Sequence, residues 1–384
     1  MDKKTIVILG GGVGGLVSAN ELAERLREKA DVVLIDKEKS HIFSPSFLWL
    51  MLGLRRPEWI CRGLQSLEKK GVRFINAQID GIDLGKRMVT TGSGNFNYDY
   101  LIISLGAELN PDAVPGFTAS AHNLYTLDGT TRLRDALKGF SGGRVVILVS
   151  GMPFKCPAAP YEAALLIDYY LRKKGLRDKS DIQIWTPEPL PMPVAGPVLG
   201  NAVKDILLSR GIGFNPNTKV ISIESDKKEI VFEGDKRVGF DLMVGIPAHK
   251  APQVVKDAGL LGESGWVAVD KGTLRTKYED VYAIGDITGI KLPNGKALPK
   301  AGVFAHLEAE IVAKNITTEI NGGKSFAVFD GKGYCFLEMG FGKAGFASGN
   351  FYAEPDPAIK LKNPGRLWHW GKIAFEKYWM WKWF

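Results

Sequence analysis

Long hydrophobic runs are missing from this 384-residue chain. No stretch approaches the ~18 uncharged apolar residues of a membrane span. The N-terminus passes from Met1-Asp2-Lys3-Lys4 straight into an apolar strand pattern, which reads as no signal peptide. Cysteine is scarce as well: Cys61, Cys156 and Cys335 are too few and too scattered for a disulfide scaffold or a zinc site, so no metal is expected. Low-complexity tracts and solenoid repeats are absent. What is present, 45% hydrophobic, 10% aromatic and 24% charged residues, is a globular composition. It excludes a disordered tail, a collagen-like fibre and a coiled coil, and the length suggests two or three domains. Two features stand out, a net charge of +8 and nine tryptophans.

Short Val/Ile runs alternate with helical patterns along most of the chain, the signature of an α/β fold with parallel sheet. Strands are expected at Thr5–Leu9, Val32–Ile35, Leu101–Leu105, Val145–Val149, Ile182–Trp185 and Val281–Ile284. Helices are expected from residue 13 to about Lys29, at Thr130–Lys138, Ala159–Lys173 and Gly302–Ile320. Lys219–Phe232 reads as short antiparallel strands. Glycine-rich strands around Gly333–Met339 and Gly345–Phe351 precede a Pro/Asp linker and the tail Arg366–Phe384.

Gly10, Gly12 and Gly15 fit G-x-G-x-x-G between the first strand and its helix. The first glycine permits the sharp turn, the second admits a pyrophosphate against bare backbone, and the third packs helix on strand. The helix N-terminus favours phosphate, and Asp36 stands about twenty residues on, where a carboxylate holds a ribose hydroxyl. The pattern predicts a dinucleotide-binding domain. Tyr98-Asp99-Tyr100-Leu101-Ile102-Ile103-Ser104-Leu105-Gly106-Ala107 and Val281-Tyr282-Ala283-Ile284-Gly285-Asp286 resemble segments of flavoproteins with two such domains. In the second, the aspartate binds the ribityl chain, so the cofactor implied is FAD. The alternative for Asp286 is a helix cap or turn residue.

The strand Arg144–Val149 is followed by Ser150-Gly151-Met152-Pro153-Phe154-Lys155-Cys156-Pro157. One glycine remains, prolines crowd the turn, and side chains fill the space a second pyrophosphate needs. The second Rossmann-like domain is degenerate and nicotinamide binding is not expected. Cys156, placed before a helix and beside Lys155, has two influences that favour thiolate; otherwise it is a small buried hydrophobe.

Several segments together resemble the sulfide:quinone oxidoreductase family over essentially the whole chain. His41-Ile42-Phe43-Ser44-Pro45-Ser46 is similar to its Phe-x-Pro-Ser element near the flavin, and Cys156-Pro157-Ala158-Ala159-Pro160-Tyr161-Glu162 to its Cys-x5-Glu stretch. Leu298-Pro299-Lys300-Ala301-Gly302 resembles its Pro-Lys-x-Gly loop. Gly333-Tyr334-Cys335-Phe336-Leu337-Glu338-Met339-Gly340 resembles the segment of its second redox cysteine, and Phe375-Glu376-Lys377-Tyr378 its membrane-contact tail. The resemblance implies FAD, sulfide as donor, a membrane quinone as acceptor and polysulfide or zero-valent sulfur as product. Cofactor contacts are implied at Gly10, Gly12, Gly15, Asp36, Ser46, Gly106, Gly285, Asp286 and Gly302. Many members carry a third cysteine where this chain has Tyr125, and some place a histidine where it has Gly129. FAD is therefore not attached through position 125, and the chain resembles the two-cysteine subtypes. Cys61 fits no family position and reads as structural.

Hydrosulfide would attack a disulfide or sulfur-bridged Cys156–Cys335 pair, leaving a persulfide and a thiolate, and two electrons would pass to the flavin; lowered thiol pKa values would help at both positions. Glu162 could take or return a proton or simply be an acid favoured by the helix dipole. Lys300 could protonate or orient the quinone, or be a solvated loop lysine. In the tail, Leu367, Trp370, Ala374, Tyr378 and Trp381 fall on one helical stripe, with Lys372, Glu376 and Lys377 mostly off it. Trp379, Trp383 and Phe384 read as further aromatic surface. A basic helix with an aromatic face belongs at a membrane interface; the alternative is a helix packed on the core or in a dimer, and a homo-oligomer stays open. Phe346 and Tyr378 are candidate walls of a quinone pocket. Residues 360–384 carry six basic side chains, one acidic and five of the nine tryptophans, so the charge points to a lipid surface, and nucleic acid is not expected.

The expected architecture is α/β with two Rossmann-like domains and a membrane-associating C-terminal region. Residues 1–110 and 261–325 form the FAD-binding domain, 111–260 the second domain with Cys156, and 326–384 the region with Cys335 and the tail. The expected location is the cell membrane, peripheral. The rival readings are a type II NADH:quinone dehydrogenase, a flavocytochrome c-type sulfide dehydrogenase and a non-catalytic flavoprotein redox sensor.

Overall fold

The computed structural model describes residues 3–384. Lys4–Leu9 (β1) ends in four fully buried residues, because a parallel strand covered on both faces needs an unbroken apolar run. Val13–Leu26 (α1) follows, then Ala30–Asp36 (β2), Val72–Asn76 (β3) and Tyr100–Ile103 (β4). The second half of the chain crosses through His122–Asn123 (β5), Gly143–Val149 (β6), Ala159–Lys173 (α2), Ser180–Trp185 (β7), Gly213–Asn215 (β8) and Leu242–Ile246 (β9). It returns with Val281–Ala283 (β10) and Gly302–Ile320 (α3). Lys332–Glu338 (β11), Ala344–Asn350 (β12), Ala358–Gly365 (β13) and Arg366–Lys382 (α4) close it.

Two parallel sheets organise these elements. The first has the order β10-β4-β1-β2-β3 and the second β5-β9-β6-β7-β8, with every pairing parallel. Thus β10, from residue 281, joins strands formed before residue 104. In the first βα turn, a Cβ on Gly15 would lie 1.7 Å from the Gly10 carbonyl oxygen, which fixes that position as glycine. Helix α3 packs along α1.

The third sheet, β11-β12-β13, is antiparallel, and α4 lies against it. Where a Pro/Asp linker was expected, residues 358–365 form an edge strand; Pro364 is tolerated there because an edge leaves one side unpaired. Strands β3 and β9 were not anticipated, and α1 stops at Leu26 rather than near Lys29. Among the described residues no helix is long and apolar enough to cross a membrane.

Helix α4 is inverted in its polarity. Leu367, Trp370, Ala374, Tyr378 and Trp381 all face outward, with Trp381 76% exposed. Its charged Lys372 and Glu376 are buried with Trp379, Met380 and Trp383. Trp379 and Trp383, expected as extra surface, are 1% and 2% exposed, because the helix packs this face on the first domain's core. Trp379 Nε1 donates to His41 Nε2 at 3.1 Å, and the Glu376 carboxylate accepts from Ser46 Oγ and pairs with Arg55 Nε at 2.8 Å.

Candidate active site

A cavity of about 1650 Å³ runs between the two parallel sheets, larger than the roughly 300–1,000 Å³ of an ordinary small-molecule cleft. One end is built by the first βα turn: Gly10, Gly12 and Gly14 line it, and Asp36 with its neighbours Lys37 and Glu38 closes it. A Cβ on Gly12 would meet no atom within 4 Å, and α1 has no side-chain N-cap, so bare amides and a positive helix end face open space. Asp36 Oδ2 accepts from Gly11 N. Farther along, Gly106, Gly285, Asp286 and Gly302 line the same cavity. This elongated cleft fits FAD: amides for the pyrophosphate, Asp36 for a ribose, and Asp286 with the N-terminus of α3 at the far end. Ser46 departs from expectation. It is fully buried, and its hydroxyl turns to Glu376 on α4 rather than into the cleft.

At the far end stand both expected thiols. Cys156 and Cys335, 179 positions apart in sequence, line one cavity. Cys156 lies in the turn after β6 with φ +54°, a left-handed backbone that a non-glycine residue adopts at a cost of order 1–3 kcal/mol. Its N–H donates to the Lys300 carbonyl at 2.6 Å, and its own carbonyl accepts from Ala159 N at 2.9 Å. Cys335 sits on β11, with Sγ 3.3 Å from the Phe336 carbonyl.

Neither thiol is acidified in the way the sequence suggested. Burial pushes Cys156 up to about 12, with the Glu162 charge adding and the Lys372 ammonium opposing. Burial holds Cys335 well above its ordinary value too, and the Cys156 and Glu162 charges raise it further. Lys155 does line the cavity, but its ammonium lies 5.8 Å over the Tyr125 ring.

The cation nearest this chemistry comes from α4. Lys372 Nζ donates to Glu162 Oε1 at 3.2 Å, with both side chains almost wholly buried. The same oxygen accepts Glu338 N at 2.8 Å, and His369 Nδ1 lies 3.1 Å from the Glu338 carboxylate. Burial works against the Lys372 ammonium, but Glu162, Glu338 and Cys335 outweigh it and hold its pKa above the ordinary value. Glu162 is therefore more than a helix-terminal acid: it is one half of a buried ion pair beside the thiols.

Lys300 is not a solvated loop lysine. Its ammonium donates to the Asp286 and Thr288 carbonyls at 2.6 and 3.3 Å and lies 3.2 Å over the Trp266 ring. Burial lowers its pKa to about 8, with Asp286 and Glu308 opposing.

A second, apolar cavity of about 400 Å³ opens beside the first. Tyr334 and Phe336 from β11, Phe346 from β12, and Leu367, Trp368 and Phe375 from α4 line it. Phe346 stacks on Trp368 with centroids 4.6 Å apart. Tyr334, Phe336 and Phe375 line both cavities. Tyr378 does not reach either one; it faces outward beside Trp381, and Phe375, one helical turn earlier, stands in the position expected of it. Cys61 pairs with Ile42 in a short strand and lines neither cavity.

Lys372, Phe375 and Trp379 are cavity-lining residues that the sequence reading did not single out. The sequence carried only part of their signal. If the stripe through Trp370 and Trp381 faces outward, the opposite face, with Lys372 and Glu376 four residues apart, must face the protein.

Comparison with known proteins agrees with this fold. The sequence pattern described as pyridine nucleotide-disulphide oxidoreductase matches residues 4–309. A mitochondrial sulfide:quinone oxidoreductase from Mus musculus is 27% identical over 371 residues, covering 91% of this chain and 79% of the relative. A sulfide-quinone reductase of Aquifex aeolicus is 29% identical over 399 residues, covering 99% and 91%. The X-ray structure of the sulfide:quinone oxidoreductase from the same bacterium superimposes with a TM-score of 0.91 at 28% identity, covering 99% of this chain and 91% of that one.

Proposed function

Since the chain belongs to the pyridine nucleotide-disulphide oxidoreductase family, we propose that it is an FAD-dependent sulfide:quinone oxidoreductase working through Cys156 and Cys335. The observation that carries this reading is the meeting of two sequence-distant thiols in the wall of the dinucleotide cleft, where the degenerate second turn offers no glycine cradle for a nicotinamide cofactor. FAD, held without a link through position 125 by the first βα turn, Asp36, Gly106, Gly285, Asp286 and Gly302, supplies two-electron acceptance from sulfur and two-electron delivery to quinone.

The chain's own residues do the rest. Hydrosulfide attacks the oxidised Cys156–Cys335 pair; one S–S bond forms and one breaks, leaving a persulfide on one cysteine and a thiolate on the other. As these two join through the new sulfur, two electrons and one proton are released. Thiolate is costly in this buried setting, and the charge of the Lys372 ammonium, which lowers both thiol pKa values, offsets part of that cost. Glu162 fixes the ammonium. Lys372, between Gly371 of the apolar cavity and Phe375 of both cavities, holds a proton where quinone reduction consumes one.

The apolar cavity suits a quinone ring between Phe346, Phe336 and Phe375. Its outer wall includes Leu367 and Trp368, at the start of the outward stripe of α4, so a lipid-dissolved quinone reaches it from the bilayer. That stripe, with Leu54 and Trp59 also exposed, supports peripheral binding to a membrane surface rather than passage through it.

Anaerobic addition of sulfide to the purified holoprotein tests the reading. The flavin absorbance bleaches, and a short-chain quinone restores it. A flavin that sulfide leaves oxidised overturns it.

A further inference from the structure

The second sheet gathers another set of polar side chains at one edge. Its strands all run parallel, so their C-terminal ends share the side on which open α/β sheets bind ligands. Tyr125 follows β5, Lys155 and Cys156 follow β6, Glu188 follows β7 and His249 follows β9. Tyr125, Lys155, Cys156 and Glu188 line the large cavity, and His249 meets the Tyr125 ring edge-on at 5.1 Å.

Buried polar atoms are normally paired, yet Tyr125 Oη, Glu188 Oε1 and His249 Nε2 are buried without a partner. Tyr125 and Glu188 are only 9% and 2% exposed. The other Glu188 oxygen is fixed, accepting from the Tyr161 hydroxyl and from Thr186 Oγ1, which leaves Oε1 as the free acceptor. Because burial keeps the Tyr125 phenol well above its ordinary pKa, Oη remains a donor. Burial also raises Glu188 to about 7, against its bonds to Tyr161 and Thr186; a carboxyl so placed exchanges protons near neutral pH. The turn that would cradle a pyrophosphate is filled by Met152, Pro153 and Pro157, and a Cβ on Gly151 would stand 3.0 Å from Ala248 Cβ. This edge therefore takes a ligand much smaller than a dinucleotide.

We propose that Tyr125 and Glu188 form a sulfide-loading site beside Cys156, in which the phenol donates a hydrogen bond to the sulfur and the Glu188 carboxylate takes a proton from dihydrogen sulfide. The H–S bond breaks as an O–H bond forms at Oε1, and the electron pair stays on sulfur as the hydrosulfide that attacks the cysteine pair. Lys155 beside Cys156, Tyr161 and Glu162 on α2, His249 after β9, Asp286 after β10 and Lys300 before α3 are the other titratable groups around the cluster. The inference rests on the sulfide reading above.

The test is anaerobic rapid mixing of the FAD-loaded protein with sulfide, following flavin bleaching from about pH 6 to about pH 9. Glu188→Gln keeps the side chain's shape, and its FAD content reports whether it folds. The expected result is bleaching about tenfold slower than wild type near pH 7, closing to within about twofold at the alkaline end, where sulfide is already ionised, and narrowing at the acid end, where the Glu188 carboxyl is itself protonated. Tyr125→Phe gives a second reading: the sulfide concentration for half-maximal rate rises about tenfold across the range. Bleaching by Glu188→Gln at the wild-type rate throughout, or equally slow at every pH, overturns the site. A wild-type flavin that sulfide does not bleach is a different failure, visible without any variant, and removes the sulfide reading together with this one.

Discussion

Among single residues, Lys372 has the largest predicted effect on stability. A buried carboxylate that loses its only cation is left uncompensated, which costs about 3–5 kcal/mol. Lys372→Met is expected to destabilise the protein by that order in thermal or denaturant unfolding, while Lys372→Met combined with Glu162→Gln recovers the part of the loss due to Glu162, Glu338 still lacking the ammonium that opposes its burial. In both variants sulfide bleaches the flavin more slowly, since Cys156 and Cys335 lose the cation that opposes the rise in their pKa values. Stability restored in part without rate is the distinguishing outcome. From sequence, Cys156, Cys335 and Glu162 were legible because each sits in a recognisable local string. Lys372 was not, because its meaning lies in the 210 positions that separate it from Glu162 and in which face of α4 is covered. The expected acidification of Cys156 failed for a related reason: a helix start and an adjacent lysine are visible in a string, whereas the depth of burial that outweighs them is not.

Helix α4 is the element whose two faces divide the work. Its inner face is docked by charge and hydrogen bonds, with Glu376 on Ser46 and Arg55 and Trp379 on His41. Its outer face is left apolar. The double variant Trp370→Ser/Trp381→Ser is therefore expected to weaken sedimentation with anionic lipid vesicles by tenfold or more on an order-of-magnitude area argument; both residues are solvent-exposed, and their loss leaves sulfide-driven bleaching in solution near wild type. Docking carries a pH signature. His41 Nδ1 lies 3.0 Å from the Gly11 carbonyl and Nε2 accepts the Trp379 N–H, so the ring is neutral, and burial holds its pKa down to about 4. Below the ordinary 6.5 the unfolded chain gains a proton that the folded chain refuses. The stability due to His41 is thus complete above pH 6.5 and is lost as pH falls toward 4. The gap in unfolding free energy between wild type and His41→Asn should shrink by roughly 3 kcal/mol over that window; a gap that is flat with pH contradicts the clamp. The outward stripe of α4 was readable from its spacing alone. The burial of Trp379 and Trp383 was not, because an aromatic residue fits a core and a lipid surface equally well.

Across the whole molecule, two parallel sheets and a C-terminal antiparallel layer set one line of transfer. In the mechanism we propose, sulfur enters at the C-terminal edge of the second sheet, electrons leave through the cleft between the sheets, and the apolar cavity under α4 receives them. Most strands of this plan were legible as buried Val/Ile runs. Strand β9, Leu242-Met243-Val244-Gly245-Ile246, was hidden by its internal glycine, which is there because a Cβ at Gly245 would lie 2.5 Å from the Phe117 ring. Strand β13 was hidden by Pro364 and the lysines of an edge. The turn after β6 makes a prediction at this scale: NADH and NADPH leave the flavin oxidised, because Met152, Pro153 and Pro157 replace a glycine cradle. In the proposed mechanism, Cys156 and Cys335 carry every electron from sulfide to the flavin. Stopped-flow absorbance of the anaerobic holoprotein mixed with sulfide tests it most directly, wild type against Cys156→Ser and Cys335→Ser. Bleaching is expected in the wild type, with a loss of roughly a thousandfold or more in either variant and FAD content unchanged. Wild-type rates in Cys156→Ser, or a flavin bleached by NADH and not by sulfide, would contradict the mechanism.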